Sequence, residues 1–356
     1  MSTRPTTREM QRAWLTRDAS YDGVFFLAVR TTGVFCRPSC PARKPQPRNV
    51  EYFPTPAAAL HAGYRPCKRC RPLETDGRPP GWLKKVLHIA ESEPHLRLRD
   101  EDLRKLGVDP ARVRRYFKQN YGMTFQAFDR ARRMGLALNA VHNGSDIVMT
   151  AYDHGFESSS GFRDAFERTF GGPPGKRRQA ECAVAGMIES PIGPILAAAT
   201  PTAVCHLSFA DERDMKALAE DMRRQSCLPV VPGTNEHLDR LRIELAEYFA
   251  GRRREFTVPL ETHGTDFQMA CWQALQRIPY GKTVSYAELA KRVGRPDAQR
   301  AVGQANHRNP IGIVIPCHRV VNAGGGLGGY GGGLWRKRWL LDLEISGQPA
   351  LIPTEN

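Results

Sequence analysis

A cysteine followed directly by a histidine closes the run Ile313-Val314-Ile315-Pro316-Cys317-His318, reached from Asn309-Pro310. The β-branched residues predict a strand with the thiol at its tip. A free thiol has a pKa of about 8.5, so little of it is thiolate near neutrality. A nucleophilic Cys317 therefore needs a base, and His318 is its neighbour in the chain. Standing alone, such a pair is an ordinary buried cysteine beside a histidine. The rest of the chain changes that reading.

A second cluster lies near the N-terminus. Cys36-x3-Cys40 and Cys67-x2-Cys70 are separated by 26 residues, and the next cysteine is Cys182. Two short-spaced pairs suit a tetrahedral thiolate site, because each pair clamps one edge of the metal. One Zn²⁺ held by Cys36, Cys40, Cys67 and Cys70 is expected, with a redox dithiol pair as the alternative. Arg37, Arg43, Lys44, Arg48, Arg65, Lys68, Arg69 and Arg71 crowd these cysteines. They offset the charge of four thiolates on one cation and offer grips for phosphate.

The elements that must position these groups fall into four segments. Tyr21–Arg30, the turn Thr31-Thr32-Gly33 and Val34-Phe35 predict a β-hairpin, with an alanine-rich helix near Ala57–His61. A linker over 71–81 leads to a helical segment that repeats itself. Val113-x3-Phe117-x3-Tyr121-Gly122 matches Phe162-x3-Phe166-x3-Phe170-Gly171 at an offset of 49 residues. Each copy has a capping signal (Asp109-Pro110; Ser158–Ser160) and a shorter helix before it, which is helix-turn-helix geometry twice. Arg112, Arg114, Arg115 and Lys118 fall on the outward face of the first copy, as reading DNA requires. The first copy is one residue shorter between Gly107 and Val113 than the second between Gly155 and Phe162, which predicts an altered turn.

The third segment predicts strands over Met187–Thr200 and Ala203–Ala210, then a helix with the stripe Leu238, Leu241, Leu245, Phe249. No chemistry is evident in it, and Cys182, Cys205 and Cys227 are isolated. In the fourth, Thr265 caps a helix in which Cys271 packs inward. Ser285–Glu288 opens a short helix to Val293, and a second helix runs from Asp297 through Asn306, with Arg300 near its start. This third helix-turn-helix adjoins Cys317. Gly326-x-Gly328-x-x-Gly331 matches the dinucleotide fingerprint only because eight of the ten residues over 324–333 are glycine. With neither an abutting strand nor an acidic residue at the right distance, it predicts no nucleotide site. These glycines instead let backbone approach a base beside Tyr330.

Lys and Arg total 52 against 37 acidic residues in 356, a net charge of +15. That excess suits a polyanion, with nucleic acid foremost. No segment is long and apolar enough to span a bilayer, and MSTRPTTREM holds no apolar signal core, so a cytoplasmic, nucleoid-associated protein is expected.

Together the parts resemble the bacterial Ada-type adaptive-response proteins over nearly the whole chain. FCRPSC and GYRPCKRC are similar to their zinc domain, residues 80–178 to an AraC-type helix-turn-helix domain, and IPCHRV to the signature of an O6-alkylguanine-DNA alkyltransferase. The fold class implied is multidomain α+β. It comprises a small α/β zinc domain (1–76), an all-α AraC-type double helix-turn-helix (80–178), an α/β ribonuclease-H-like subdomain (183–262) and a helical winged or helix-turn-helix alkyltransferase domain (263–350).

The resemblance implies a methylated-DNA–protein-cysteine S-methyltransferase. Cys317 accepts the alkyl group from O6-methylguanine or O4-methylthymine, His318 acts through a water, and Glu344 orients it. Asn309 holds the turn, Tyr286 donates to the base, and Arg300 fills the gap left by the flipped nucleotide. Cys36 takes a methyl from a methylphosphotriester, with Thr32, Arg43 and Arg65 as DNA contacts, while Pro41 stands where a basic residue is expected. Cys36 methylation removes a negative charge and turns the protein into a transcriptional activator. Each transfer leaves an S-methyl thioether, a poor leaving group, so single turnover is expected. The partners implied are double-stranded DNA and RNA polymerase, the state a monomer, and no organic cofactor or membrane is expected. Readings from other classes are a metal- or redox-responsive AraC-type regulator with an inert C-terminal domain, and a repair enzyme without regulatory activity.

Overall fold

Thr6 and Glu9 close a reciprocal capping box that starts α1 (Thr7–Thr16), a helix the sequence reading did not anticipate although Thr-x-x-Glu is its standard signal. The computed structural model describes residues 5–346 except 19, 20, 23, 55, 71, 73–80, 94, 95, 211–214 and 227. After α1 come β1 (Phe26–Val29), β2 (Val34–Cys36), β3 (Val50–Phe53), α2 (Pro56–His61) and β4 (Arg65–Pro66). The predicted hairpin is β1–β2, its turn made at Gly33 with φ 62°. The sheet runs β3-β1-β2-β4, and its β2–β4 edge is parallel. That parallel edge brings the two cysteine pairs to one end of the sheet.

The expected linker over 71–81 lies almost wholly outside the described residues. Beyond it follow α3 (Gly81–Ser92), α4 (Asp100–Lys105), α5 (Pro110–Asn120), α6 (Phe125–His142), α7 (Ile147–Asp153) and α8 (Ser159–Phe170). Val113, Phe117 and Tyr121 on one side, and Phe162, Phe166 and Phe170 on the other, are all buried, so the repeat is the core of two helical hairpins. The missing residue alters little. Gly107 and Gly155 both turn at φ near 70° (72° and 68°), and the shortage is absorbed in the cap. There Asp109 accepts from the Ala111 N–H and Ser158 from the Gly161 N–H. Helix α6 ties the hairpins together: Arg133 pairs with Asp129 at 3.0 Å and donates to the carbonyls of His154 and Gly155 at 2.7 and 3.1 Å.

The next unit holds β5 (Ala183–Ile188), β6 (Ile195–Ala199), β7 (Val204–Phe209), α9 (Met215–Ser226), β8 (Val230–Pro232) and α10 (Glu236–Phe249), with sheet order β7-β6-β5-β8. The strand expected over 187–200 is two strands, because Gly193 (φ 105°) and the Ser190 hydroxyl bonded to its carbonyl turn the chain between them. The α10 stripe is buried as expected.

The last unit contains α11 (Asp266–Gln276), β9 (Val284–Ser285), α12 (Tyr286–Arg292), α13 (Gln299–His307), β10 (Val320–Val321) and α14 (Leu334–Ser346). Helix α13 begins at Gln299 rather than Asp297, since Ala298 is the capping position. The larger correction concerns residues 313–315. They form a turn rather than a strand, with Ile313 in the left-handed region at φ 70°. A β-branched residue there costs on the order of 1–3 kcal/mol and persists only where its surroundings enforce it. One continuous core joins this unit to the β5–β8 sheet and α10. The zinc domain rests on α14, through Arg338–Glu9 at 3.1 Å and Trp335 packed against the cluster of Ala13, Tyr21 and Phe25. Among the described residues, no helix is long and apolar enough to cross a membrane.

Candidate active sites and metal centre

Asn309 enforces the turn that carries Cys317. Its Nδ2 donates to the Ile315 carbonyl at 2.7 Å, and its Oδ1 accepts from the Ile311 N–H at 3.1 Å. The clamp explains how Ile313 is held at positive φ. It delivers Cys317 to the first position of a short 3-10 helix, Cys317–Arg319, half-buried beside a cavity of about 420 Å³.

Behind Cys317, the Nε2 of the fully buried His318 lies 2.8 Å from Glu344 Oε1. Glu344 also accepts from Tyr248 at 2.7 Å, from Arg319 at 2.9 and 3.0 Å, and from the Gly281 N–H at 3.1 Å. Burial by itself would raise the Glu344 carboxyl, yet bonding to His318 and Arg319 holds it well below the usual carboxylate range. Burial pushes the His318 imidazole down, against the pull of Glu344 and with the help of the Arg319 and Lys337 charges. An ionised carboxylate can only accept, so Nε2 carries the proton and Nδ1 keeps its lone pair. That Nδ1 is buried with no partner among the described residues. The arrangement is a neutral base with its orienting carboxylate already in place.

Tyr286 reaches the Gly329 carbonyl at 3.4 Å, and burial together with the nearby Cys317 raises its phenol. Tyr330, Gly331 and Gly332 line the cavity, and two glycines of this run also make room for neighbouring rings. A Cβ on Gly332 would lie 2.6 Å from the Phe209 ring, and one on Gly328 (φ 67°) 3.0 Å from Tyr286. Arg300 stands exposed in the first turn of α13.

Several site residues escaped sequence reasoning. Leu207, Ser208 and Phe209 line the cavity from β7, so the segment read as scaffold supplies a wall. Lys337 is buried on α14, donates to the carbonyls of Val320 and Gly329 at 2.6 and 3.2 Å, and is pushed down to about 8 by burial. Neither spacing nor composition marks these residues. They converge only through the fold.

At the other end of the chain, one sulfur from each of Cys36, Cys40, Cys67 and Cys70 lies within 4.8 Å of all the others, and Cys40 and Cys67 are 4.0 Å apart. Zn–S bonds of about 2.3 Å at tetrahedral angles put sulfurs about 3.8 Å apart, so the donor set fits one Zn²⁺. Without a cation the thiols share protons: bonding between Cys36 and Cys40 pushes the Cys36 thiol up and the Cys40 thiol down. Four thiols this close ionise together only around a cation. All four are buried, from 3 to 9 % exposed, so exposure does not single out Cys36.

Four family models cover this arrangement. They are the metal binding domain of Ada over residues 9–73, a helix-turn-helix domain over 103–180, and two domains of 6-O-methylguanine DNA methyltransferase. The latter are its ribonuclease-like domain over 183–262 and its DNA binding domain over 266–346. The bifunctional transcriptional activator/DNA repair enzyme Ada of Escherichia coli is 34 % identical over 340 residues, 94 % of this chain and 95 % of that protein. The chain belongs to the Ada family. The C-terminal half of this Ada-family chain is also similar to the methylated-DNA–protein-cysteine methyltransferase of Mycobacterium bovis, at 45 % identity over 163 residues, 46 % of this chain and 93 % of that one. A crystal structure of the Mycobacterium tuberculosis enzyme OGT in complex with DNA covers 47 % of this chain and 96 % of its own, with 43 % identity and a TM-score of 0.40.

The remaining Ada-type positions are exposed in the zinc domain: Thr32 at the hairpin turn, Arg43 in the loop after Cys40, and Arg65 on β4. In the helical unit Arg115 is exposed, with Asp109 at 3.9 Å. Arg112 departs from the outward expectation. It is half-buried over the Trp82 ring, 4.9 Å from the centroid, because α3 covers that edge of α5.

Proposed function

We propose that this Ada-family protein repairs alkylated DNA by irreversible transfer to two of its own cysteines and uses one of those transfers as a regulatory signal. The buried His318–Glu344 pair behind Cys317, at the edge of an open cavity lined by Tyr330 and Phe209, is the observation that carries the reading. An alkyl group on O6 of guanine or O4 of thymine is unreachable inside a stacked duplex, so the nucleotide must leave the helix. Arg300, exposed on α13, fills the vacated position, and Tyr330 flanks the base.

The Cys317 proton passes through a water to His318 Nδ1, and Glu344 stabilises the imidazolium. Cys317 Sγ then attacks the alkyl carbon. The S–C bond forms, the C–O bond breaks, and the electron pair returns to the base, with Tyr286 donating a hydrogen bond as that charge develops. Asn309 keeps Sγ in position throughout. The thioether is a poor leaving group, so each molecule acts once.

In the zinc domain, Zn²⁺ held by Cys36, Cys40, Cys67 and Cys70 keeps the thiolates ionised without a general base. Cys36 takes a methyl from a methylphosphotriester, the S–C bond forming as the C–O bond breaks and the phosphodiester anion departs, while Thr32, Arg43 and Arg65 hold the backbone. Losing one negative charge raises affinity for DNA, and the helical unit, with Arg115 exposed and Arg112 at its edge, then engages promoters. The division of labour follows the units 1–76, 80–178, 183–262 and 263–350. The protein acts in the cytoplasm as a monomer and recruits RNA polymerase.

Peptide mass mapping after exposure to DNA bearing O6-methylguanine and methylphosphotriesters tests the whole reading. Methyl on Cys317 and on Cys36, in a burst equal to the protein present, is the expected result. Continuing turnover, or methyl on neither cysteine, would overturn it.

A further inference from the structure

Three polar residues of the wall beside Cys317, Ser208, Asn306 and His307, take no part in the reaction described above; Ser208 is paired with His206 at 2.8 Å. Asn306 lies in the last turn of α13 and is 9 % exposed, and its Nδ2 and Oδ1 both lack a hydrogen-bond partner among the described residues. Nearly every buried side-chain amide is paired, and one left unpaired is destabilising, so an orphan amide on a residue that lines a site, closed off until the site is filled, is a group available to a ligand. Its neighbours are well satisfied. Trp272 donates to the Ala305 carbonyl at 3.0 Å, and Asn309 spends both of its polar atoms on the Cys317 turn. The local backbone therefore does not need the Asn306 amide.

We propose that Asn306 is a specificity residue that hydrogen-bonds the extrahelical base and biases the pocket toward small alkyl groups. This rests on Cys317 being the alkyl acceptor. An amide offers a donor and an acceptor side by side, which matches the alternating donors and acceptors along a purine or pyrimidine edge. A methylated base satisfies the amide when it enters. A bulky apolar substituent packed against the same wall leaves the amide unpaired and is disfavoured. Pockets that reward a hydrogen bond discriminate far more strongly than apolar walls do.

The test is Asn306→Leu in the full chain, a near-isosteric change that removes both polar atoms, with Asn306→Asp retaining an acceptor. Single-turnover transfer to Cys317 is measured with O6-methylguanine and O6-benzylguanine duplexes, alongside transfer to Cys36 and hydrogen exchange in α13. For Asn306→Leu we expect transfer from O6-methylguanine to fall about tenfold while the benzyl-to-methyl rate ratio rises about tenfold. Asn306→Asp should lose less. Exchange in α13 should slow in Asn306→Leu, because an unpaired buried amide has been removed; a residue needed only for packing would show faster exchange instead. An unchanged rate ratio, or slower transfer accompanied by faster α13 exchange, would overturn the proposal. Wild-type protein that takes no methyl on Cys317 would remove the reaction on which it rests, a result distinct from a variant that merely fails to discriminate.

Discussion

Replacing Glu344 with glutamine tests the catalytic arrangement at its most connected atom pair. The carboxylate accepts five hydrogen bonds, from His318, Tyr248, the Gly281 N–H and twice from Arg319. Glutamine has one carbonyl oxygen, which accepts about two, and its NH₂ faces donors on the other side. At least two buried donors lose their partner at about 1–3 kcal/mol each, and the Arg319 guanidinium, only 6 % exposed, loses its counter-charge. The sum is about 3–5 kcal/mol, the usual cost of breaking a buried ion pair from one side. Hydrogen exchange of α14 in the full chain should therefore speed up about a hundredfold or more at neutral pH. Transfer to Cys317 should slow by about 10²–10⁴, as expected when a general base loses its orienting partner.

Acid supplies a signature of its own. The folded pKa of Glu344 lies below its ordinary value of 4.5, so its contribution to stability is present above about 4.5 and lost as pH falls toward the folded value. The gap between wild type and variant should be flat from neutrality to that point and then narrow. A variant whose α14 exchanges like wild type, or whose transfer rate is intact, would refute the reasoning.

Two further outcomes follow from the geometry. Gly332→Ala places a Cβ 2.6 Å from the Phe209 ring and 2.9 Å from Tyr330, an overpacking of about 1–3 kcal/mol that displaces side chains of the cavity wall; single-turnover kinetics should show slower transfer to Cys317, with transfer to Cys36 unchanged. Native mass spectrometry should find one Zn²⁺ per chain, and stripping it with a strong chelator should abolish exchange protection in β1 and β2 while base repair persists, because the folding free energy of so small a domain is largely that of its metal site.

How much of this was legible in advance differs from element to element. Close-range patterns were readable. The two cysteine pairs, the aromatic repeat of α5 and α8, the caps at Thr265 and Ser285 and the hairpin at Gly33 all depend on neighbours within a few residues, and the structure forms each of them. The capping box of α1 was equally local and was overlooked. The run Ile313-Val314-Ile315 misled because β propensity is weak against a specific clamp: Asn309 overrules three β-branched residues through two hydrogen bonds.

The sequence by itself determined that a metal-binding cysteine set, a doubled DNA-reading motif and a Cys-His pair share one basic chain, since spacing, period and charge are properties of neighbouring residues. Only the folded chain leaves the His318 Nδ1 without a partner among the described residues, brings Tyr248 onto Glu344 and Lys337 onto the Val320 carbonyl, and walls the pocket with Phe209 of β7 and with Asn306, whose amide is unpaired among those residues. Those facts depend on chain segments tens of residues apart being driven together by one apolar core. No local pattern records which polar atoms that collapse leaves satisfied and which it leaves waiting.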